Sequence, residues 1–469
     1  MFRVQMSLKI ALSFLPCLLL ISCSNTHDVE FGKIRKAPDL GEMQHFVESN
    51  GFSAKTRPNI YFLFFDTLRP DLALSQKGAI QKFYNDSLTF ETAYASGTAT
   101  WYSMFSFFHG LPSFITYDAV PRAQSHTNHY GSLFFKVLNQ IGYKLNTYGF
   151  AWECDVEERP SGTSWKRFLT TFFGWKTRLL DRCATDPHYD DRFGVNRDEI
   201  TIENLESKLP QTIQSAEGHL SFIALYNNHD PYKWGSLVSG ARKNIGFRED
   251  FSNMKTTVNR YMNSVMASDI NFERLLKLVR SLPGNENAVI VLFSDHGESL
   301  YEKNRESAHG GIPYKERAEI LLAMQLGADP ALRIDLRNSI ASIMDIFPTL
   351  FDYMGVKPEI PSSLITGKSL LRETRDSTIV IRTNKESPTR EMVMVNRDSK
   401  AWIKVEEDDF YHSRSFSLIK ITDLDDLKIG NFCEGRTSEK CREELLNRFP
   451  DALMELYPDL SINKGISHE

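Results

Sequence analysis

The fold is decided by an uninterrupted apolar run, Asn59-Ile60-Tyr61-Phe62-Leu63-Phe64-Phe65. Apolar and polar residues do not alternate in it, which predicts a strand that is buried on both faces, as in a parallel sheet. The run ends abruptly at Asp66-Thr67-Leu68-Arg69-Pro70-Asp71. Open α/β sheets bind ligands at the carboxyl ends of their strands, so Asp66 is a candidate ligand-binding residue. The alternative is an aspartate that caps its own turn.

A second apolar run, residues 220–226, predicts another strand, which breaks at Asn227-Asn228-His229-Asp230-Pro231-Tyr232. The loop places His229 directly after a strand. Taken alone, this residue is best interpreted as an ordinary surface histidine, and a functional role depends on the motifs around it.

The clearest strand of the chain, residues 288–293, stops at Ser294-Asp295-His296-Gly297-Glu298. An adjacent Asp-His pair on a tight turn can direct a carboxylate and an imidazole to one point, which is the chemistry of a metal site. A dipeptide of this kind also occurs often by chance. A glycine-rich loop containing His309-Gly310-Gly311 follows.

The stretch Ala99-Thr100-Trp101-Tyr102-Ser103-Met104-Phe105-Ser106-Phe107-Phe108-His109-Gly110 predicts a short helix that ends at its glycine. Thr100 is expected at or next to the N-cap. The free backbone N–H groups and the dipole at a helix N-terminus favour an anion, such as an ionised hydroxyl or a bound phosphoryl oxygen. A threonine that only caps its own helix is the alternative.

The other periodic segments complete an α/β fold. Helical spacing of apolar residues predicts helices over residues 130–141, 254–282, 339–354 and 438–456. Short apolar runs predict strands over residues 143–150, 320–324, 378–382, 392–395 and 401–405. We therefore predict a mostly parallel central sheet sandwiched by helices, with a small C-terminal α+β subdomain.

The composition is that of a globular protein and argues against a nucleic-acid-binding class. A chain of 469 residues is long enough for one large α/β domain and a smaller one. The net charge of -5 shows no basic excess, so we expect no nucleic-acid partner.

The N-terminus predicts a lipoprotein signal. Arg3 and Lys9 precede the apolar residues 10–21, a run whose length suits a signal peptide better than a membrane span. Leu20-Ile21-Ser22-Cys23 resembles a bacterial lipobox, in which the cysteine is lipidated and becomes the first mature residue. Ser24 favours, by analogy, the outer membrane of a Gram-negative host, facing the periplasm. An uncleaved anchor is the alternative.

The cysteines fit a location in the cell envelope, outside the cytoplasm. An oxidising compartment permits disulfides, although their pairing cannot be deduced from sequence. By position the six cysteines are Cys17 in the signal, Cys23 at the lipidation site, and two local pairs, Cys154 with Cys183 and Cys433 with Cys441.

Taken in order, these motifs resemble the sulfatase branch of the alkaline-phosphatase superfamily. The resemblance spans about residues 58–410, and its motifs are weak singly but specific in this order. They are Asn59-Ile60 through Asp71, Thr100-x-x-Ser103 with Gly110, His229-Asp230-Pro231-Tyr232, Ser294-Asp295-His296-Gly297-Glu298, His309-Gly310 with Tyr314-Lys315-Glu316, Asp345-Ile346-Phe347-Pro348-Thr349-Leu350, and Gly367-Lys368-Ser369-Leu370.

The nucleophile position departs from that of true sulfatases, in which a cysteine or serine is oxidised to formylglycine. Thr100 occupies this position, and the methyl branch on its Cβ prevents the same oxidation from giving an aldehyde. Tyr102 and Met104 replace the proline and arginine of the signature, and the His309 loop has no counterpart of the sulfate-binding lysine, although Lys315 follows in the next segment. An unmodified threonine resembles instead the phosphoethanolamine and phosphoglycerol transferases, which include lipoteichoic acid synthases.

The resemblance and the chemistry of the residues together predict a site for one divalent metal. Metal coordination can activate a hydroxyl that has no neighbouring base. Oxygen ligands with one imidazole suit Zn²⁺ or Mn²⁺ better than Ca²⁺, which prefers six or more oxygens. His229 and His309 would bind phosphoryl oxygens, and one would protonate the leaving alkoxide. The predicted ligands are Asp66, Thr100, Asp295 and His296.

The predicted function is transfer of phosphoethanolamine- or phosphoglycerol-type groups, or phosphodiester hydrolysis, on envelope lipids or glycans. The main alternative is a sulfuric ester hydrolase. A non-catalytic glycan-binding relative is disfavoured because the metal-site residues are present. The predicted divisions are a signal peptide (1–22), a tether (23–57), a catalytic domain (58–370) and a C-terminal subdomain (371–469).

Overall fold

The computed structural model describes residues 27–31, 40–114, 132–149, 178–179, 197–213, 218–230, 232, 254–303, 306–328, 335–383, 388–405, 415–430, 432–457 and 460. Their strands are β1 (His27–Glu30), β2 (Ile60–Phe65), β3 (Thr89–Tyr94), β4 (Lys144–Tyr148), β5 (Arg178–Leu179), β6 (His219–Leu225), β7 (Val289–Phe293), β8 (Ser299–Leu300), β9 (Ser307–Ala308), β10 (Glu319–Ile320), β11 (Leu322–Leu326), β12 (Asp335–Ser342), β13 (Ser377–Thr383), β14 (Pro388–Asn396), β15 (Lys400–Lys404) and β16 (Ser415–Thr422).

The helices of the described residues are α1 (Leu40–Ser49), α2 (Pro70–Ser75), α3 (Ala79–Asn85), α4 (Thr100–His109), α5 (Leu133–Gln140), α6 (Arg197–Thr212), α7 (Met254–Ser281), α8 (Lys315–Ala318), α9 (Ile346–Met354), α10 (Ser438–Arg448) and α11 (Pro450–Leu456). A 3-10 turn, Ile343–Asp345, precedes α9. Among these helices, none has the length and apolar character needed to cross a bilayer.

The central sheet has the strand order β11-β7-β2-β6-β4-β5, which confirms the predicted α/β architecture. β2 lies between β6 and β7 and is parallel to both. β11 runs antiparallel to β7 at the edge. Because β2 is central, the residues that follow it lie beside the carboxyl ends of its two neighbours.

Both faces of β2 are buried because the strand is apolar at every position. Its even-numbered residues belong to a core that includes Phe107 of α4 and Phe347 of α9. Its odd-numbered residues belong to a second core, formed with α3, α6 and α7. A helical layer therefore covers each face, as the unbroken apolar run predicts.

A second sheet is antiparallel and has the order β1-β16-β15-β14-β13. It packs on α10 and α11 and forms the C-terminal part of the fold. Its edge strand comes from the opposite end of the chain, since His27 pairs with Leu418 and Glu30 with Ser415.

The predicted tether over residues 23–57 is therefore wrong for two of its segments. Residues 27–30 form β1, and Val29 is buried in the core of the C-terminal part. Leu40–Ser49 forms α1, and Val47 is buried in the main core. Backbone pairing with β16 and these few apolar side chains order a segment whose composition is mostly polar.

Two predicted helices begin or end differently in the structure. Residues 339–342 belong to β12, because their backbone pairs with β3. The predicted helix over 438–456 is two helices, because Pro450 begins α11 and cannot continue the hydrogen bonding of α10.

One of the two predicted cysteine pairs falls within the described residues. Cys433 and Cys441 form a disulfide. Cys23, Cys154 and Cys183 lie outside the described residues.

Arg375 connects the central fold to the C-terminal part. Its guanidinium is fully buried, lies 2.6 Å from Asp345 Oδ1, and also contacts Glu455 of α11. Asp345 ends the 3-10 turn and accepts the Ser342 backbone N–H at 2.8 Å. One buried cation thus neutralises carboxylates from two parts of the chain.

We expect Arg375→Met to destabilise the protein by about 3–5 kcal/mol, because two buried carboxylates lose their partner. Urea unfolding followed by circular dichroism measures the change. The matched control is Arg372→Met, since Arg372 is half exposed and pairs with Asp352 and Glu359. Exposed pairs contribute less than about 1 kcal/mol. Equal losses in the two variants would contradict the importance assigned to Arg375.

We also expect a stability change with pH at His109, whose ring stacks on Phe105 with 4.3 Å between centroids. Burial lowers the pKa of His109 from 6.5 to about 3, and Lys136 adds to this effect. Below the ordinary pKa the unfolded chain binds a proton that the folded chain does not. The free energy of unfolding should therefore fall by about 1.4 kcal/mol per pH unit from this residue alone as the solution is acidified.

His109→Phe should remove that contribution, so that the stability difference between variant and wild type grows from about pH 7 to about pH 5. His45→Gln is the control, because His45 is exposed. Parallel pH dependences for wild type and His109→Phe would contradict the prediction.

Candidate active site

Two carboxylates and an imidazole meet where β2 and β7 end. Asp66 directly follows β2, and Asp295 and His296 follow β7. All three side chains are buried, and one potential ligand atom of each lies within 4.8 Å of the others. The structure thus brings together three of the predicted metal ligands, which come from distant parts of the chain.

The turn after β2 has a left-handed backbone at Thr67, where φ is 58°. Residues other than glycine adopt this conformation rarely. The turn is held because the Thr67 hydroxyl donates to the Asn228 carbonyl, and the Tyr261 hydroxyl donates to the Thr67 carbonyl at 2.7 Å. The Thr67 N–H then donates to Asp295 Oδ1 at 3.3 Å and orients that carboxylate.

Thr100 is the first residue of α4, with Ala99 as the N-cap. Its hydroxyl oxygen lies 3.1 Å from His296 Nε2 and 3.4 Å from Asp66 Oδ1. No side chain caps this helix. The interpretation of Thr100 as a cap is therefore wrong, and its hydroxyl faces the carboxylates and the imidazole instead.

The proton on His296 is located by its contacts. Nδ1 lies 2.9 Å from the Gly297 carbonyl oxygen, which can only accept, so Nδ1 carries the proton. Burial lowers the pKa of His296 well below its usual value, and His309 adds to this. Nε2 therefore presents a lone pair, 3.3 Å from Asp295 Oδ2. Among the described residues that oxygen has no hydrogen-bond donor, and a cation would relieve the repulsion between the two acceptors.

Negative charge is concentrated where Asp66 and Asp295 meet. Burial raises the pKa of Asp66 well above its usual value, and the charges of Asp295 and Glu298 raise it further. Burial also raises the pKa of Asp295, although hydrogen bonds from Thr67 and Thr100 oppose the shift. Two carboxylates, a neutral imidazole and a hydroxyl are a donor set that fits one divalent cation.

The two other predicted site histidines lie beside this cluster. The centroid of the His309 ring is 4.8 Å from that of His296 and 4.9 Å from that of His229. His229 Nδ1 donates to the Asp230 carbonyl at 2.7 Å. The imidazoles therefore form one side of the site.

Glu298 is a site residue whose contact the sequence did not reveal. Its buried carboxylate lies 3.2 Å from His309 Nδ1. Burial alone would lower the pKa of His309, but Glu298 outweighs it and the pKa is raised. The sequence shows that an acidic residue, Glu298, ends the Asp-His-Gly-Glu turn. Its contact with His309 on the next loop depends on the fold and could not be predicted from the sequence.

The His309 loop is fixed to the segment that leads into α4. The Gly310 N–H donates to the Thr98 carbonyl at 2.6 Å, and the Thr98 hydroxyl donates to the Gly311 carbonyl at 3.0 Å. Both glycines have positive φ, at 78° and 71°, which the absence of Cβ permits. Thr98 therefore couples the position of His309 to that of Thr100.

Two basic residues near the motifs have structural partners. Arg69 Nη2 lies 2.7 Å from Asp71 Oδ2, and the guanidinium also contacts Glu302. Lys315 Nζ lies 3.2 Å from Asp425 Oδ1 in the C-terminal part. Lys315 is thus engaged away from the carboxylate–imidazole cluster.

The sequence of this chain matches a known protein family. Residues 58–356 match the protein family described as Sulfatase. A curated relative, an endo-4-O-sulfatase of Bacteroides thetaiotaomicron, is 29% identical over 114 residues. That match covers 24% of this chain and 22% of the relative, so the chain spans about a fifth of the relative's length.

Solved structures share the fold at low identity. A Bacteroides thetaiotaomicron structure, described with the metabolism of multiple glycosaminoglycans, has a TM-score of 0.60 and 16% identity, over 85% of this chain and 96% of that chain. The C-terminal periplasmic domain of EptC from Escherichia coli, in complex with Zn, has a TM-score of 0.50 and 14% identity, over 74% and 94%.

The metal site gives a prediction that does not depend on activity. We expect Asp295→Asn to lose its bound divalent ion, because a carboxylate ligand becomes an amide. Elemental analysis of the purified protein measures the ion, and thermal unfolding with and without a chelator measures its stabilising effect. Wild type should lose stability on chelation, and the variant should not change.

The control is Asp71→Asn, which removes a carboxylate that is half exposed and paired with Arg69. This variant should retain its ion. Full ion content in Asp295→Asn would show that the ligand assignment is incorrect.

Proposed function

Since the chain belongs to the sulfatase family, we propose that it is a metal-dependent enzyme that acts on phosphate esters with an unmodified threonine nucleophile. Family membership supports a hydrolase or a transferase. The proposed reaction is transfer of a phosphoethanolamine- or phosphoglycerol-type group, or hydrolysis of a phosphodiester, on a lipid or glycan of the cell envelope.

One observation carries the proposal, namely the position of the Thr100 hydroxyl 3.1 Å from His296 Nε2 and beside Asp66. Oxidation of a threonine side chain gives a ketone, because Cβ carries a methyl group. Thr100 therefore cannot be converted to formylglycine. An unmodified hydroxyl has to act as the nucleophile itself, and Thr100 lies at the positive end of α4, which favours its ionised form.

Four residues would hold the metal: Asp66, Thr100, Asp295 and His296. We propose Zn²⁺ or Mn²⁺ for these mixed oxygen and nitrogen donors. The bound ion would supply positive charge that lowers the pKa of a hydroxyl and stabilises phosphoryl oxygens.

The chain's own residues then perform two displacements at phosphorus. In the first, Thr100 Oγ1 loses its proton to solvent and bonds to phosphorus, the bond to the leaving oxygen breaks, and His309 donates a proton to that oxygen. In the second, an acceptor hydroxyl or water gives its proton to His309 and bonds to phosphorus, the bond to Thr100 breaks, and Thr100 Oγ1 regains a proton from solvent. Glu298 orients the His309 ring, and His229 binds a non-bridging oxygen.

The proposed location is the cell envelope, outside the cytoplasm. Lipid attached to Cys23 of the lipobox would anchor the chain to the membrane, where envelope lipids are available as group donors. Within the chain, residues 58–370 would carry the activity and 371–469 would form the subdomain that packs beside it.

Sulfuric ester hydrolysis is the second candidate, favoured by the name of the curated relative, an endo-4-O-sulfatase. Similarity to that relative would also suggest a glycan substrate. Against it stand Thr100 in the nucleophile position and Lys315, which pairs with Asp425.

Thr100 decides between the two candidates. We expect wild-type protein incubated with phosphatidylethanolamine or phosphatidylglycerol to show a covalent adduct at Thr100 in intact and peptide mass spectra. Thr100→Ala should lose the adduct and at least about a thousand-fold in turnover, because the bonding oxygen is absent. Thr100→Ser should retain both in part.

Thr212→Ala is the control, since the Thr212 hydroxyl donates within its own helix, to the Lys208 carbonyl at 3.0 Å. It should behave as wild type. Release of sulfate from an aryl sulfate that persists in Thr100→Ala would overturn the phosphate assignment and the role of Thr100.

A further inference from the structure

The C-terminal sheet exposes apolar side chains at one end. Ile419, Leu427 and Ile429 are 42%, 66% and 39% exposed. Of the six large hydrophobic residues that are exposed in the described part of the chain, these three lie within residues 419–429. Single exposed apolar residues are normal, whereas a local concentration indicates a contact surface.

The turn after β16 brings these residues to one end of the sheet. Lys428 forms an antiparallel bridge with Thr422, the last residue of β16. The Ile429 N–H donates to the Ile421 carbonyl at 3.3 Å. The chain therefore doubles back along β16, and Leu427 lies in the turn itself. We call Ile419, Leu427 and Ile429, with Lys420 and Lys428, the sheet-end surface.

The N-terminal strand starts at this same end. β1 is antiparallel to β16, and its first residue, His27, pairs with Leu418, the neighbour of Ile419. Cys23 precedes His27 by four residues. Four residues span at most about 14 Å when fully extended. A lipid on Cys23 would therefore hold the membrane within that distance of the start of β1.

The two lysines of the surface suit an anionic lipid headgroup layer, while the same turn also carries Asp423, Asp425 and Asp426. Lys428 is exposed, and Lys420 is partly exposed with its Nζ 4.3 Å from the centre of the Trp402 ring. Lysines close to a membrane are attracted to anionic lipids, while their aliphatic stems and neighbouring apolar side chains can enter the interface.

Ion pairs connect the sheet-end surface to the segment that carries His309. Asp425 lies 3.2 Å from Lys315 Nζ, and Asp426 pairs with Lys303 and with Lys400, which lies 2.7 Å away. Both aspartates directly precede Leu427. If a membrane lies against this turn, these ion-paired residues lie between it and the segment that carries His309.

We propose that the sheet-end surface rests on the anionic lipid membrane to which Cys23 anchors the chain. The inference rests on the proposed lipid anchor and fixes the orientation of the enzyme, with the turn at Leu427 facing the lipid. A second copy of the chain on this surface is an outcome that the test distinguishes.

The experiment uses the full chain, processed in a bacterial host and reconstituted in vesicles of phosphatidylethanolamine and phosphatidylglycerol. Intact mass first establishes whether Cys23 carries acyl chains. An environment-sensitive fluorophore is then attached to Leu427→Cys, and in a second variant to Ile429→Cys, in a background with Cys154→Ser and Cys183→Ser. The control is Glu286→Cys, since Glu286 is exposed in the turn before β7.

We expect a blue shift and quenching by lipid-borne quencher for the probes at 427 and 429, and neither effect for the probe at 286. An acylated protein whose probes at 427 and 429 stay in an aqueous environment would overturn this surface and leave the anchor intact. Absence of acyl chains on Cys23 would overturn both. A shift that appears without lipid and grows with protein concentration would identify a second copy as the occupant and overturn the proposal.

Discussion

Buried negative charge at the carboxyl ends of β2 and β7 is the constraint on which the candidate site depends. Asp66, Asp295 and Glu298 are within mutual influence and shielded from water, and burial raises the pKa of the first two. A folded chain tolerates this only if protons, hydrogen-bond donors or a cation compensate the charge. The Thr67 N–H and the Thr100 hydroxyl supply part of the compensation, and the remainder fits a divalent ion.

The rest of the fold positions the groups of the candidate site, and each group comes from a different element. β2 and β7 bring the carboxylates, α4 brings Thr100, and the loop after β9 brings His309. These segments are tied to each other by backbone hydrogen bonds rather than by side chains alone, as at Thr98 and Gly310. Binding of a metal ion at these residues would therefore be linked to the stability of this region, because the ion would contact the same groups that define the turns.

The sequence predicts the parts of the structure that depend on local pattern. An apolar run without alternation identifies β2, and the polar residue at its end identifies Asp66. Parallel topology then explains why the Asp-His pair after β7 lies close by. Residues 339–342 could not be assigned this way, because their apolar spacing also fits a helix and only pairing with β3 makes them a strand. The contact of Glu298 with His309 likewise depends on how one loop folds over another.

The strand β1 is the clearest case in which sequence was insufficient, since its partner lies at the other end of the chain. This pairing has a consequence for how the protein is made. Synthesis delivers β1 first and β16 late, so the five-stranded sheet can close only after nearly the whole chain has emerged. A chain that begins at residue 58, where the family match starts, would lack β1 and leave β16 as an open edge with apolar neighbours. Such an edge is a template for intermolecular pairing, so we expect the few residues of β1 to protect the folded protein from aggregation.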